Sequence, residues 1–152
     1  MSFINIISME ERIKHCICET QADIYLYANK NGYNMELFSK EYLSSNFCNS
    51  IMDAEYSVFQ LADPIECMDF IEKEVTPPLL NKPNFDEFII QWIGYIYREL
   101  HFYSQLSSRE ISTKISFKDM VNYYPSLSME DNSIALDILA EDFLRKEHYN
   151  FE

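Results

Sequence analysis

One segment, Asn84 to Gln105, constrains the fold more than any other part of the chain. It reads NFDEFIIQWIGYIYRELHFYSQ and is apolar or aromatic at most positions. A helix that is apolar around its whole circumference is normally buried in a protein core. It would make a poor membrane span, because Arg98 and Glu99 would lie well inside any window of about twenty residues. The segment therefore predicts a buried central helix at about residues 84–105.

Glycine is scarce, at 2 of 152 residues. Folds built from strands and tight hairpins need glycine at turns with positive φ angles. Hydrophobic residues make up 47% of the chain, which is enough for a sizeable core. We therefore expect an all-α fold, with one compact multi-helix domain at residues 1–152. The clearest linker runs from Thr76 through Pro83, so two helical halves would divide at residues 76–83.

Capping signals mark the expected helix boundaries. A serine that precedes a carboxylate by three residues is typical of a helix start. The serines that open such sequences are Ser8, Ser107, Ser116 and Ser128. Asp63-Pro64 predicts another start, with proline at the first helical position, and that helix is expected to end near Glu74. Asn31-Gly32 predicts the end of the first helix, and Asn34 the start of the second.

The segments between these helices have less regular patterns. A short helix across Phe47 to Met52 is expected after a break at Ser44 to Asn46. Tyr56 to Ala62 fits either a buried extended connector or a helix end. The charged tail, Arg145 to Glu152, is expected to fray.

The chain is strongly acidic, with a net charge of −13. A field of this sign repels phosphate backbones, so direct nucleic-acid binding is not expected. It would speed association with a basic protein. The acidity could equally serve to keep an aromatic-rich domain in solution. The opening sequence, MSFINIISMEER, has no basic stretch followed by a long apolar one, so we expect a cytoplasmic protein with no membrane partner.

Metal binding has one candidate cluster, formed by His15, Cys16, Cys18 and Glu19. His15, Cys18 and Glu19 share one helical face, whereas Cys16 points away from Cys18. No second Cys or His pair lies at the spacing of zinc ligands. We therefore expect no metal and no cofactor, and cysteines that act as small core residues with reduced thiols.

Catalysis has two weak candidates, Arg98 and His101, which lie on one side of the central helix. An arginine and a histidine could activate a hydroxyl and stabilise developing charge in a small hydrolase or nuclease. Their spacing does not match that of the HEPN ribonuclease motif. The other interpretation is a partly buried polar pair that satisfies helix ends or carboxylates. The sequence therefore leaves enzymatic activity open and does not favour it.

Aromatic residues make up 15% of the chain and include 11 tyrosines. Tyrosine is enriched at interfaces because its ring is apolar and its hydroxyl is polar. The candidate partner-binding residues are Tyr95, Tyr97, Tyr123 and Tyr124. Trp92 is expected to be substantially buried, because it lies midway along the central helix. Gly94 costs about 1 kcal/mol there relative to alanine, which predicts that another backbone packs closely against it.

Two strings resemble a known family. MDAEYSVFQLADPIECMDFI and WIGYIYRELHFYSQLSSREI cover about 40 residues, at Met52 to Ile71 and Trp92 to Ile111. They resemble an uncharacterised family of short bacterial helical proteins found near toxin–antitoxin-type loci, some beside ADP-ribosyltransferase-like toxins. The resemblance implies a bacterial cytoplasmic context and a neutralising role, and it assigns no functional residue.

The leading hypothesis is therefore a non-enzymatic interaction module of antitoxin or immunity type. It would bind a basic protein, such as a toxin, through an acidic surface rich in tyrosine. Two alternatives remain open. One is a small hydrolase or nuclease centred on Arg98 and His101. The other is an acidic mimic of nucleic acid, which needs carboxylates ordered at phosphate-like spacing on one face.

Overall fold

The fold is all-α, as the sequence predicts, and 72% helical. The computed structural model describes residues 3–55 and 57–145, and of these the side chains of 3–8, 58 and 59 are not described. No strand is present in that part of the chain. Its α-helices are α1 (Phe3–Lys30), α2 (Met35–Leu43), α3 (Pro64–Ile71), α4 (Glu87–Ser104), α5 (Ser108–Lys114), α6 (Phe117–Leu127) and α7 (Asn132–Leu139). Two π-helical turns, Cys48–Met52 and Ala140–Leu144, and a 3-10 turn, Val58–Leu61, complete the described helical elements.

Helices α1 and α4 form the antiparallel pair on which the other helices assemble. Gly94 allows the two backbones to approach closely, because a Cβ atom there would lie 3.0 Å from the Cα of Ala22 and from the Tyr25 ring. The expectation that another backbone packs against Gly94 is therefore confirmed. Gln21 Nε2 donates to the Gly94 carbonyl at 2.9 Å and joins the two helices at the same level.

Helix α4 is largely buried, as predicted for residues 84–105, and it packs along α1, which is central to the domain. Its buried positions include Ile90, Ile93, Ile96 and Leu100, and it contacts α1, α5, α6 and α7. Trp92 is largely but not fully buried, in agreement with the prediction for it. Its ring packs against the core from the face of α4 that points away from α1.

Most helix starts follow the capping signals of the sequence. Complete capping boxes are present at Ser107 and Ser116. Asn34 and Asp63 each accept a bond from a backbone amide of the first turn. Gly32 follows the end of α1 with a φ of 85°. The break at residues 44–46 is also present, and the short helix after it is the π-helical turn Cys48–Met52.

Three boundary predictions are wrong. Ser8 lies inside α1, which begins five residues earlier at Phe3. Ser128 is the C-cap of α6, because that helix continues through Pro125 to Leu127, and the cap of α7 is Asp131. Helix α3 ends at Ile71 rather than near Glu74, and a turn follows it.

The linker at residues 76–83 is tied to the first half of the chain at two points. Thr76 N donates to the Glu41 carboxylate at 2.8 Å. Leu79 N and Leu80 N both donate to the Gly32 carbonyl, at 3.1 and 2.9 Å. In Tyr56 to Ala62 the described part contains the 3-10 turn, whereas Tyr56 and the tail from residue 146 lie outside the described residues.

Candidate functional site

Arg98 is the most enclosed charged side chain of the described residues, with no exposed surface. Its Nε and Nη2 donate to Gln21 Oε1 at 3.0 and 2.8 Å. Nη1 donates to Asp53 Oδ1 at 2.5 Å, and Nη2 also reaches Ser108 Oγ at 3.0 Å. All three guanidinium nitrogens are thus bound by the protein itself. No N–H group of Arg98 is exposed to a substrate. Arg98 therefore cannot stabilise developing charge on a substrate, as the hydrolase hypothesis requires.

Asp53 brings the two catalytic candidates together, because its Oδ1 also lies 3.6 Å from His101 Nδ1. Burial acts to raise the pKa of Asp53, but Arg98 and two bonds from Ser108 outweigh it and hold that pKa below its usual range. Ser108 N donates to Oδ2 at 2.8 Å. Asp53 is therefore a charged partner of Arg98 inside the fold.

His101 is a half-buried histidine near the end of α4. Its Nδ1 donates to the Leu106 carbonyl at 2.7 Å, since a carbonyl oxygen can only accept. Burial and the nearby charge of Arg98 lower the pKa of His101. The bond to Leu106 fixes the turn after α4, where Gln105 has a φ of 63°. This arrangement matches the second interpretation of the sequence, a polar pair that satisfies a helix end and a carboxylate.

The four candidate tyrosines do not share one surface. Tyr97 is 2% exposed and donates its hydroxyl proton to the Ile115 carbonyl at 2.8 Å, so its assignment to a partner-binding surface is wrong. Position 97 lies on the face of α4 that packs into the core. Tyr123 donates to Asp142 at 2.7 Å, and Tyr124 packs edge-on against Trp92. Both of these rings are partly exposed on α6.

Tyr95 is the candidate tyrosine that lies in a groove. Its hydroxyl is 2.5 Å from His15 Nδ1 on α1. His15 Nε2 lies 2.6 Å from Glu19 Oε1, and because a carboxylate only accepts, Nε2 carries a proton. In the neutral imidazole Nδ1 then accepts from Tyr95. The His15–Tyr95 contact therefore bridges α1 and α4 across the groove, and the Glu19 contact within α1 orients the His15 ring.

The groove is lined by one row of residues from each helix, and both rows have a four-residue repeat. Residues four apart form a ridge along a helix surface, so two facing ridges enclose a channel. The α1–α4 groove is lined by Glu11, His15, Glu19 and Asp23 of α1 and by Gln91, Tyr95, Glu99 and Tyr103 of α4. Each row spans about 18 Å at 1.5 Å per residue.

The His15–Tyr95 bridge divides the groove into two clefts. The smaller, of about 190 Å³, lies beside Asp23 and Gln91. The larger, of about 330 Å³, lies beside Glu99 and is also lined by Leu136 of α7. We call the larger cleft the Glu99 chamber.

Several ionisable side chains in the groove have raised pKa values. Burial raises the pKa of Asp23, and the neighbouring charges of Glu19 and Asp63 raise it further. Burial also raises the pKa of Glu99, against the effect of a bond from Asn132. Burial and the thiol of Cys18 raise the pKa of Tyr95, so its hydroxyl stays protonated. Carboxylates with perturbed pKa values in a cleft are typical of functional sites.

Two other clefts differ from the groove. One, of about 210 Å³, lies between α1 and α3 and has Tyr27, Asp69 and Glu72 on its walls. The other, of about 660 Å³, lies beside His101 and Ile13. Within the described residues, no hydrogen bond between α1 and α4 crosses either of these clefts as the His15–Tyr95 contact crosses the groove.

The cluster at His15 does not converge on one point. Cys18 is buried and Cys16 is exposed, and burial raises the pKa of the Cys18 thiol. Within the described residues, no three His, Cys, Asp or Glu side chains are arranged to hold a metal ion. None of the helices in that part of the chain has the length and apolarity that a membrane span needs.

Sequence reasoning missed most of the groove. Glu11, Glu19 and Asp23 recur on α1 at four-residue multiples, as do Gln91 and Glu99 on α4, and this repeat was the available signal. The repeat alone does not say which helix faces which. The antiparallel register that pairs His15 with Tyr95 comes from packing at Gly94, where α4 meets a part of α1 that is distant in the sequence.

Comparison of the chain with protein-family models, with curated proteins and with solved structures gave no match.

Proposed function

We propose that this protein is a non-enzymatic interaction module that binds a basic protein partner in the α1–α4 groove. The observation that carries the proposal is the state of Asp23 and Glu99. Both are carboxylates whose pKa is raised in an open groove, so a partner cation would relieve an unfavourable charge. A net charge of −13 would steer such a partner toward the surface.

Aromatic rings give the groove the second property of a protein-binding surface. Tyr95 and Tyr103 lie in it. Phe88, two turns before Tyr95 on α4, lies outside the two clefts and is 71% exposed. Partly exposed aromatic rings beside charged groups are the usual anchors of protein interfaces.

The resemblance to short helical proteins near toxin–antitoxin-type loci makes a co-encoded toxin the first partner to test. In that setting the module would act as an antitoxin or immunity protein in the bacterial cytoplasm. The groove would occupy basic residues that the toxin needs for its own activity.

The test is capture of a partner by three baits, with co-expression of the neighbouring gene product. The baits are the parent protein, the groove variant Glu19→Gln/Asp23→Asn, and the control variant Glu36→Gln/Glu130→Gln, which carries the same change of charge on exposed residues outside the groove. We expect the parent and the control to capture one basic protein and the groove variant to bind it at least about tenfold more weakly.

The association rate should fall several-fold as salt is raised, because exposed charges are screened over about 8 Å at physiological ionic strength. Equal binding by the groove variant and the control would reject the groove as the site. An association rate that ignores salt would reject electrostatic steering. Competition for the captured protein by double-stranded DNA would favour the nucleic-acid mimic.

A further inference from the structure

The Glu99 chamber has a carboxylate with spare capacity to accept hydrogen bonds. Asn132 Nδ2 donates to Glu99 Oε1 at 2.7 Å and fixes the orientation of the carboxylate. Among the described residues no other donor reaches Glu99. A carboxylate has about four lone-pair sites, so most of its accepting capacity is open to a ligand in the cleft. The same carboxylate is half-buried, and burial raises its pKa, so a cationic ligand would stabilise its charge.

Aromatic rings of α4 line the same cleft as this carboxylate. Tyr95 lies one turn before Glu99 and Tyr103 one turn after it, and Phe102 also lines the chamber. The Phe102 ring already has a cation over it, because Lys14 Nζ lies 5.6 Å from its centroid. A cation held over an aromatic face is attracted by the quadrupole of the ring. The chamber thus combines a fixed carboxylate with rings that accept cations.

We propose that the Glu99 chamber receives the guanidinium group of an arginine side chain from the partner. Guanidinium is planar, so it can stack on an aromatic ring while its fork of N–H groups meets a carboxylate in a bidentate pair. It is also more weakly hydrated than an ammonium group and enters a half-buried site at lower cost. The inference rests on the proposed function, and it names the residue of the partner that the groove recognises.

Lys14 determines how strongly the chamber binds this group. Its ammonium lies at the chamber wall, where it competes with an incoming cation for Phe102 and repels it. Replacement of Lys14 by glutamine leaves both chamber carboxylates, Glu11 and Glu99, in place. Lys14→Gln should therefore bind a guanidinium more tightly than the parent does. Lys40→Gln removes the same charge from an exposed position on α2 and serves as the control.

The experiment is an NMR titration of the full chain with small probes, followed at Tyr95, Tyr103 and the side-chain carboxyl of Glu99. The probes are N-acetyl-arginine methylamide, the lysine equivalent, and the citrulline equivalent, which has the shape of arginine without its charge. We expect binding in the order arginine, lysine, citrulline, with citrulline weakest. Glu99→Gln should weaken arginine binding at least about fivefold, whereas Glu36→Gln should leave it unchanged.

The proposal is overturned if arginine gives no shift at these residues up to its solubility limit, or if citrulline binds as well as arginine. It is also overturned if Glu36→Gln weakens binding as much as Glu99→Gln, since the effect would then be one of net charge. The Glu99→Gln variant keeps an acceptor for Asn132, so we expect it to melt at or above the temperature of the parent. That melting temperature would show that the variant is folded. Failure to capture a basic protein would reject the proposed function while these probe results still stood.

Discussion

Trp92 shows how one atom can change the outcome of a substitution. Its indole Nε1 is buried and has no acceptor among the described residues. A buried donor without a partner costs about 1–3 kcal/mol. The ring also packs edge-on against Tyr124, with 5.6 Å between centroids. The side chain therefore combines a favourable ring contact with an unfavourable donor.

We expect Trp92→Phe to change the free energy of unfolding by less than about 1 kcal/mol, because loss of ring area is offset by removal of the unsatisfied donor. Trp92→Ala should cost about 2–3 kcal/mol, less than truncation of a fully buried tryptophan. Urea denaturation of both variants would measure the difference. If Trp92→Phe is as damaging as Trp92→Ala, the indole donor has a partner in solution.

The structural role of some residues could be predicted from the sequence, and that of others could not. The caps Ser107, Ser116 and Asp63 were predictable, because a cap acts on amides within three residues of itself. Tyr97 was not, since the hydrophobic period of α4 gives no preference between tyrosines at positions 95 and 97 without a partner helix. The partner of Tyr97 is the carbonyl of Ile115, which is 18 positions away.

Between elements, the contact at Gly94 fixes how α1 and α4 pack. A Cβ atom at this position would meet atoms of Ala22 and Tyr25 at 3.0 Å. Helix propensity favours alanine over glycine by about 1 kcal/mol. Overpacking of a core contact usually costs about 1–3 kcal/mol. The second effect is the larger, because the contacted atoms are a backbone Cα and the root of a buried ring.

Gly94→Ala should therefore lower the melting temperature, with a loss of about 1–2 kcal/mol after the gain in propensity. Gln91→Ala, at an exposed position of the same helix, should leave stability nearly unchanged. Thermal unfolding followed by circular dichroism would show both effects. A Gly94→Ala variant that melts at or above the parent temperature would contradict the close approach of α1 and α4.

The presence of a helix was easier to predict from the sequence than the residues at which it begins and ends. The apolar run at residues 84–105 predicted α4, yet α4 begins at Glu87. Asn84 N and Phe85 N donate to Asn29 Oδ1 at 3.1 and 3.2 Å, so these residues are tied to α1 rather than to a first helical turn. Ser8 failed for a related reason: a capping pattern cannot act where the helix continues before it.

At the scale of the whole molecule, the Arg98 network joins four parts of the chain. Arg98 on α4 binds Gln21 on α1, Ser108 at the start of α5, and Asp53 after the first π-helical turn. Asp53 and Gln21 are 45 and 77 positions from Arg98. Sequence predicted a polar pair on α4, but pairing over such separations follows from the packed fold and has no local pattern.

Arg98→Met should destabilise the fold more than either Trp92→Ala or Gly94→Ala. It leaves the Asp53 carboxylate enclosed without its counter-charge, and breaking a buried ion pair in this way costs about 3–5 kcal/mol. Arg12→Met, at an exposed position on α1, is the matched control and should have little effect. Urea denaturation would measure both. The double variant Arg98→Met/Asp53→Asn should recover part of the loss, since it removes the stranded charge.

Acid dependence gives the network a second signature. The pKa of Asp53 is lower in the folded protein than in the unfolded chain, because the raising effect of burial is outweighed by Arg98 and Ser108. Its contribution to stability is therefore present above the unfolded pKa of about 3.9 and is lost as pH falls through the lower folded pKa. The gap in unfolding free energy between the parent and Asp53→Asn should thus be widest near neutral pH and close on acidification below about pH 4. Urea denaturation from about pH 3 to about pH 7, a window that brackets the unfolded pKa, would measure it.

Two results would show that the Arg98–Asp53 pair does not hold the four segments together. One is a gap in unfolding free energy that does not change over this pH range. The other is an Arg98→Met variant as stable as Arg12→Met.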